Sequence, residues 1–449
     1  MDGAGMGHDR RSAGLAGARI AVTIPPESWF GGHDRLLSLR ESAVLETEFG
    51  CRFHHVDTTP FIVGDVAGQR AEIDALRAFR PQAALGLPNG NYPWCCRTLS
   101  GSRRINIFTD ILEIPLVLPW DHGLLQFPSM VLWQLPTGPE ASSEDAIQRV
   151  ASRINHPLIH HIAIDSGHVA EMRRLGLLTS PNVTFMPAKT SWPYIRHGRS
   201  LAAERRFDED VAFVGNISLN RARAVFPEGS AAGRLASQVV HARRRNPVAA
   251  PWPLLLESLE RLSDDERFRE RLLFDDSYFW YVAYRIVEDI ANAHGRIELL
   301  KAVARPVALY GGFADPGTMD ELAGRFAHLR FRGSVNYADE LPSVYARTRI
   351  TVDCINSGFI NNSSPKPPSC FSSGGFALFE HKPDFAELFG APGEAVMFRS
   401  FDEMNRKIDY FLTHEKERLD LSDHLREGIN RDHDYQDVIQ RVMEGALAG

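Results

Sequence analysis

Cysteine is scarce in this 449-residue chain, which holds five: Cys51, Cys95, Cys96, Cys354 and Cys370. An odd number without zinc-site spacing argues against a disulfide scaffold or a zinc ribbon. It points instead to buried free thiols in a reducing compartment. Long apolar runs are missing too. No stretch reaches the roughly 18 apolar residues of a membrane-spanning helix. Residues Met1 to Gly17, rich in Gly, Ala and Arg, lack the apolar core of a signal peptide and read as a flexible leader. Basic excess is absent: Lys and Arg number 50 against 57 Asp and Glu, a net charge of −7, unlike a dedicated nucleic-acid binder. Neither a Walker A loop nor a dinucleotide fingerprint occurs. What remains is ordinary globular composition, 44% hydrophobic and 24% charged, in a chain long enough for two domains of roughly 100–200 residues each.

Short apolar runs alternate with helical periodicity, the signature of parallel sheets wrapped by helices. In the first half the expected strands are Arg19 to Ile24, Arg52 to Val56, Ala83 to Leu87, Ile105 to Thr109, Leu116 to Pro119, His160 to Asp165 and Val183 to Met186. Helices are expected at Asp34 to Phe49, Gln69 to Phe79 and Gly167 to Leu175. A charged stretch near Arg199 to Asp210 marks the domain boundary. A second cycle follows, with strands Val211 to Val214, Val307 to Tyr310, Leu329 to Arg332, Ile350 to Ile355 and Gly375 to Phe379. It is interrupted by a long helical stretch, Ala231 to Ala304, and ends in helices at Phe401 to Thr413, Glu415 to Asn430 and Tyr435 to Glu444. The division is a leader over 1–17, a first Rossmann-like domain over 18–205, a second over 206–430 with a helical insertion at about 225–300, and a C-terminal helix over 431–449. The insertion carries an aromatic cluster, Tyr278 to Tyr281 and Tyr284, which reads as a buried mini-core or as a surface for an acceptor, a partner or a second copy.

Ligands of open α/β sheets bind beyond the carboxyl ends of the strands. The candidates there are Gly215-Asn216, Gly311-Gly312, and Arg332-Gly333-Ser334, where glycine lets backbone amides approach a phosphate. The segment Asn356 to Phe376 is polar, has Lys366 as its one charge, places Pro365, Pro367 and Pro368 before Ser369, and closes on Ser372-Ser373-Gly374-Gly375. A hydroxyl-rich helix start beside one lysine suits a pyrophosphate. Three constellations supply an acceptor site or a base near neutral pH: Gly31-Gly32-His33-Asp34, Asp121-His122-Gly123 and Asp165-Ser166. His160 and His161 share an apparent strand, so at least one packs inside; His54 and His55 read the same way.

The second half resembles the CgeB-like (spore-maturation-protein-like) group 1 glycosyltransferases. VAFVGNIS (Val211 to Ser218), RIELLKAVARPVALYGG (Arg296 to Gly312), FRGSVNYADELPSVYARTRITVD (Phe331 to Asp353), SGGFALFEHKPDFAELFGAPGEAVMFRSFDEM (Ser373 to Met404) and the terminal Asp432-His433-Asp434-Tyr435 carry the likeness in order. It implies a GT-B fold, two Rossmann-like doubly wound domains facing a cleft, in a cytoplasmic bacterial protein that is at most peripheral to the membrane. It also implies a nucleotide-sugar co-substrate, UDP- or GDP-linked, against Gly215, Asn216, Gly311, Gly312, Arg332, Gly333, Ser334, Lys366, Ser369 and Ser372 to Gly375. No separate cofactor and no metal are expected, and the acceptor (glycan, protein or metabolite) sits in the first domain. An inverting reaction needs a base, with His122 or Asp121 first and His33 second; a retaining one does not. Three departures stand out. Ser369 replaces a glutamate common in the superfamily, Lys366 stands for an arginine, and the insertion has no counterpart. An epimerase recruiting Asp353 or Glu380, and a non-catalytic binding member, are the other readings.

Overall fold

The computed structural model describes residues 15–448 apart from 25–38, 40–41, 44, 48, 64, 87–94, 98–103, 121–150, 152–153, 191–193, 197, 199, 202–205, 218–225, 228, 262–265, 312–321, 323, 325, 337–338 and 355–357. The described strands are β1 (Arg19–Ile24), β2 (Arg52–Asp57), β3 (Ala83–Gly86), β4 (Cys95–Arg97), β5 (Arg104–Asn106), β6 (Leu116–Pro119), β7 (Ile159–Ala163) and β8 (Val183–Phe185) in the first half. The second half has β9 (Glu209–Val214), β10 (Val307–Tyr310), β11 (Leu329–Gly333), β12 (Thr348–Asp353), β13 (Ala377–Glu380) and β14 (Met397–Phe398). They form two six-stranded parallel sheets, ordered β2-β1-β3-β6-β7-β8 and β11-β10-β9-β12-β13-β14. Central strands such as AALG, LVLP and ALFE are buried at every position, as a sheet covered on both faces requires. These are the two doubly wound domains expected of the GT-B arrangement. The second sheet has the strand order of a dinucleotide-binding fold, and its order reverses between β9 and β12.

One local expectation needs correction. Ile105 to Thr109 is not a core strand: β5 pairs antiparallel with β4 outside the main sheet, and Ile107–Ile111 winds into a π-helical turn. Asn106 directs this, since its side chain accepts from Phe108 N at 2.9 Å while its own N–H donates to Asp110 at 2.7 Å. Of His54 and His55 on the edge strand β2, His54 is half-buried with its ring 5.4 Å from that of Phe79, while His55 is exposed and bonds Ser42 Oγ at 2.7 Å. His161 is the fully buried member of its pair. Cys51, Cys354 and Cys370 are buried free thiols.

The insertion comprises helices Ala231–Arg245, Pro251–Glu260, Glu266–Phe274 and Asp276–Tyr284, then a π-helical turn Arg285–Ala291 leading into helix Asn292–Ala302. Its aromatics build a mini-core: Trp252 stacks on Trp280 with centroids 5.5 Å apart, and Phe268 meets Tyr278 edge-on. Leu235, Val239 and Trp252 share a hydrophobic cluster with Met172 and Leu178 of the first domain, and Trp252 Nε1 donates to Glu171 at 3.0 Å. Though inserted in the second domain by sequence, the segment therefore packs on the first. The C-terminal helix Tyr435–Ala448 also crosses back, placing Val438, Ile439 and Met443 in one core with Val22, Leu85 and Val117. Among the described residues, no helix is long and apolar enough to cross a membrane.

Candidate functional site

At the reversal of the second sheet, β9 ends at Val214-Gly215 and β12 ends at Asp353-Cys354. Lys366 opens the helix Lys366–Ser372, where Pro367 and Pro368 occupy first-turn positions that need no backbone N–H. Its ammonium donates to Val214 O at 3.0 Å and stands 3.6 Å from Asp353 Oδ1. A β-carbon on Gly215 would lie 3.2 Å from that ammonium and 3.0 Å from the Phe213 ring, so glycine leaves the rim open to close approach. Arg296, on helix Asn292–Ala302, donates from Nη1 to Asn216 O. Two cations thus converge on the carbonyl ends of the central strands.

Asp353 is 3% exposed, and neither carboxylate oxygen accepts a hydrogen bond from a described residue. Burial pushes its carboxyl above the usual range, with Lys366 and Arg296 pulling the other way. Burial pushes the Lys366 ammonium down, against the pull of Asp353. Beside this pair lies a second buried network: Arg243 Nη2 donates to Glu380 at 2.8 and 3.1 Å, and the Cys354 thiol donates to Glu380 at 3.2 Å. Glu380 is thereby engaged by the insertion and is not the available carboxylate an epimerase would recruit.

The glycines predicted for the site divide. Gly215, Gly311 and Gly333 meet along one rim: Gly311 N donates to Gly333 O at 2.9 Å, and a β-carbon on Gly311 would press inside van der Waals contact of Gly215 O. Gly333 holds φ +88°, a left-handed backbone that suits glycine. Ser334 beside it is exposed. Arg332 needs correction: it pairs with Glu209, the first residue of β9, at the opposite end of that strand from Gly215. The Ser372-to-Gly375 turn also differs from the expected helix start. It ends the helix that Lys366 begins, where carbonyls face outward and the dipole disfavours anions. Ser372 Oγ donates to Asn430 at 2.8 Å, Ser373 Oγ to Ser369 O at 2.8 Å, Gly375 O accepts from Ser422 at 2.6 Å, and Gly374 sits at φ +83°. Ser369 is buried within the same short helix.

His33, Asp121, His122 and Gly312 lie outside the described residues. Asp165 is no free base: its carboxylate is 1% exposed and filled by backbone N–H groups. Among the described residues, no cluster of His, Cys, Asp or Glu is placed to hold a metal. Sequence reading missed Arg296 and Arg243. Arg296 opens one of the resembling segments, but nothing in the sequence shows that it reaches the β9 rim. Arg243 sits in an Arg243–Arg245 run that reads as a solvated helix end.

Residues 294–444 match the family model described as glycosyl transferase-like. The match holds Arg296, Asp353, Lys366 and Glu380, and starts after Arg243 and most of the insertion. No curated protein matches the sequence. Two solved structures resemble the chain over most of its length. A glycosyltransferase from Rickettsia africae is 7% identical, with 96% of this chain and 98% of that one covered and a TM-score of 0.48. Anabaena Alr3699/HepE in complex with UDP-glucose is 11% identical, with 96% and 100% covered and a TM-score of 0.47. At these scores neither likeness bears on function. The match covers both cations of the rim, Arg296 and Lys366, and strands β10 to β14, while β9 and the Gly215 rim precede it in the chain.

Proposed function

We propose that the protein is a glycosyltransferase of the CgeB-like type, moving a sugar from a UDP- or GDP-linked donor to an acceptor held by the first domain. One observation carries this reading: Arg296 and Lys366, both inside the segment that matches the glycosyl transferase-like family, converge on the Gly215 rim at the β9/β12 reversal. A diphosphate placed there meets a cation on either side and glycine backbone beneath it. As the sugar–phosphate bond breaks, the leaving diphosphate gains charge, and fixed cations stabilise that charge without reorganising. Two such cations support metal-independent transfer. His122 or Asp121, then His33, are the proposed acceptor bases if the reaction inverts the anomeric centre.

The test is calorimetric titration of the intact protein with UDP-glucose and GDP-mannose, followed by Lys366→Met and Arg296→Ala. The reading predicts binding by one nucleotide class and its loss in both variants. Equal affinity in wild type and variants would move the diphosphate elsewhere.

A further inference from the structure

The segment that leads into Lys366 is held by the first domain. Asp165, just beyond β7, accepts from Ile360 N at 2.7 Å and from Asn361 N and Asn362 N at 3.2 Å each. It also caps its own helix, Ser166–Arg174, through His168 N at 3.0 Å. Neighbouring residues add to the grip. Ser166 N and Oγ donate to Asp384 at 2.9 and 2.5 Å, and Asn361 Nδ2 donates to Ser166 Oγ at 3.1 Å. The His168 imidazole donates to Gly358 O, and Asn362 Nδ2 donates to Ile164 O and Pro187 O. A β-carbon on Gly167 would lie 2.7 Å from Ile360, so only glycine permits this approach. From the second domain's side, Lys382 donates to Phe359 O at 3.2 Å. Past this clasp, the chain runs through buried Ser363 and Ser364 directly into Lys366.

We propose that Asp165 is a positioning residue: from the first domain it fixes the backbone of residues 358–362 and thereby sets where Lys366 stands at the donor rim. The proposal rests on the reading of Lys366 as a donor ligand. A buried carboxylate that accepts several backbone N–H groups at once holds a loop in one conformation, because releasing any of them leaves a buried polar group without its partner. The donor rim of one domain is then complete only while the other is docked on it, and the acceptor-side domain bears on donor affinity without touching the donor.

The experiment uses the full chain with Asp165→Asn, and Ser166→Ala as the milder variant should the first fail to fold. Two readouts are compared with wild type: amide hydrogen exchange across residues 358–366, and the Kd for UDP-glucose and GDP-mannose. The expected result for Asp165→Asn is exchange at least ten-fold faster in 358–366, unchanged exchange in β9 and β12, and a Kd at least ten-fold weaker. Ser166→Ala is expected to move both readouts in the same direction by a few-fold. Unchanged loop exchange would overturn the proposal, as would a loosened loop with unaltered affinity. Exchange rising equally through both sheets would make Asp165 a general stability residue and also overturn it. Absence of binding to wild type would instead defeat the donor reading of Lys366, leaving exchange alone to decide whether Asp165 fixes the loop.

Discussion

Replacing Arg243 by Met removes one half of a buried ion pair that ties the insertion to the second sheet. Its guanidinium meets both Glu380 oxygens, at 2.8 and 3.1 Å, with side-chain exposures of 6% and 3%. At 2.8 Å and an effective dielectric of about 20, the Coulomb attraction is roughly 6 kcal/mol, most of it offset by the desolvation of two charges. Removing only one partner strands the other, which costs about 3–5 kcal/mol. Arg243→Met and Glu380→Gln should each destabilise by a few kcal/mol, and the double variant by less than their sum, with a coupling of about 2 kcal/mol or more. The assay is urea unfolding of the four proteins followed by tryptophan fluorescence, with the free energies set in a double-mutant cycle. Trp252 and Trp280, two of the chain's seven tryptophans, lie stacked within the insertion and contribute to the signal of its release. Additivity to within about 0.5 kcal/mol would refute the pairing, and with it the claim that the insertion is anchored at the donor-side rim.

Three further outcomes follow from the same geometry. Donor affinity should rise as pH falls through the raised pKa of Asp353, which sheds a negative charge, and should fall as pH climbs through the lowered pKa of Lys366; Asp353→Asn should remove the acid limb, measured by titration across pH. His161 accepts from Trp120 Nε1 at 3.0 Å and so carries its proton on Nε2, which donates to Ile154 O at 2.7 Å. Burial lowers its pKa from 6.5 to about 4. Its stabilisation is therefore fully present above pH 6.5 and lost as pH falls toward 4, a loss of roughly 3 kcal/mol that His161→Gln should abolish in urea melts. Gly311→Ala should cost about 1–3 kcal/mol and weaken donor binding, because its β-carbon has only the Gly215 carbonyl to displace; an unchanged melting point would contradict this.

Much of the fold was legible because parallel strands buried on both faces read as short apolar runs, and β1, β3, β6 and β10 fall where those runs lie. The site was legible in part. Lys366 was visible as the one charge in a polar loop, and Gly215 as a glycine ending a strand. The Ser372-to-Gly375 turn was misread because Pro365, Pro367 and Pro368 suggested a helix starting after them, whereas prolines fit its first turn and move the turn to its far end. Arg332 reads as a phosphate ligand until the fold supplies Glu209, a partner far away in sequence. Arg243, Arg296 and the Asp165 clasp were out of reach for one reason: each acts on residues 80 or more positions away, and local pattern holds no record of such pairings.

The central claim is that the β9/β12 rim binds a nucleotide-sugar through Lys366 and Arg296. Hydrogen bonds from charged donors contribute about 1.5–3 kcal/mol each, so Lys366→Met should weaken a donor's Kd by roughly 10- to 150-fold. The direct measurement is calorimetric titration of wild type and Lys366→Met with UDP-glucose and GDP-mannose at one pH and salt. Saturable one-to-one binding to wild type, weakened by that factor in a variant that remains folded, is the predicted result. Wild type that binds neither donor, or a variant that binds as tightly as wild type, would contradict it.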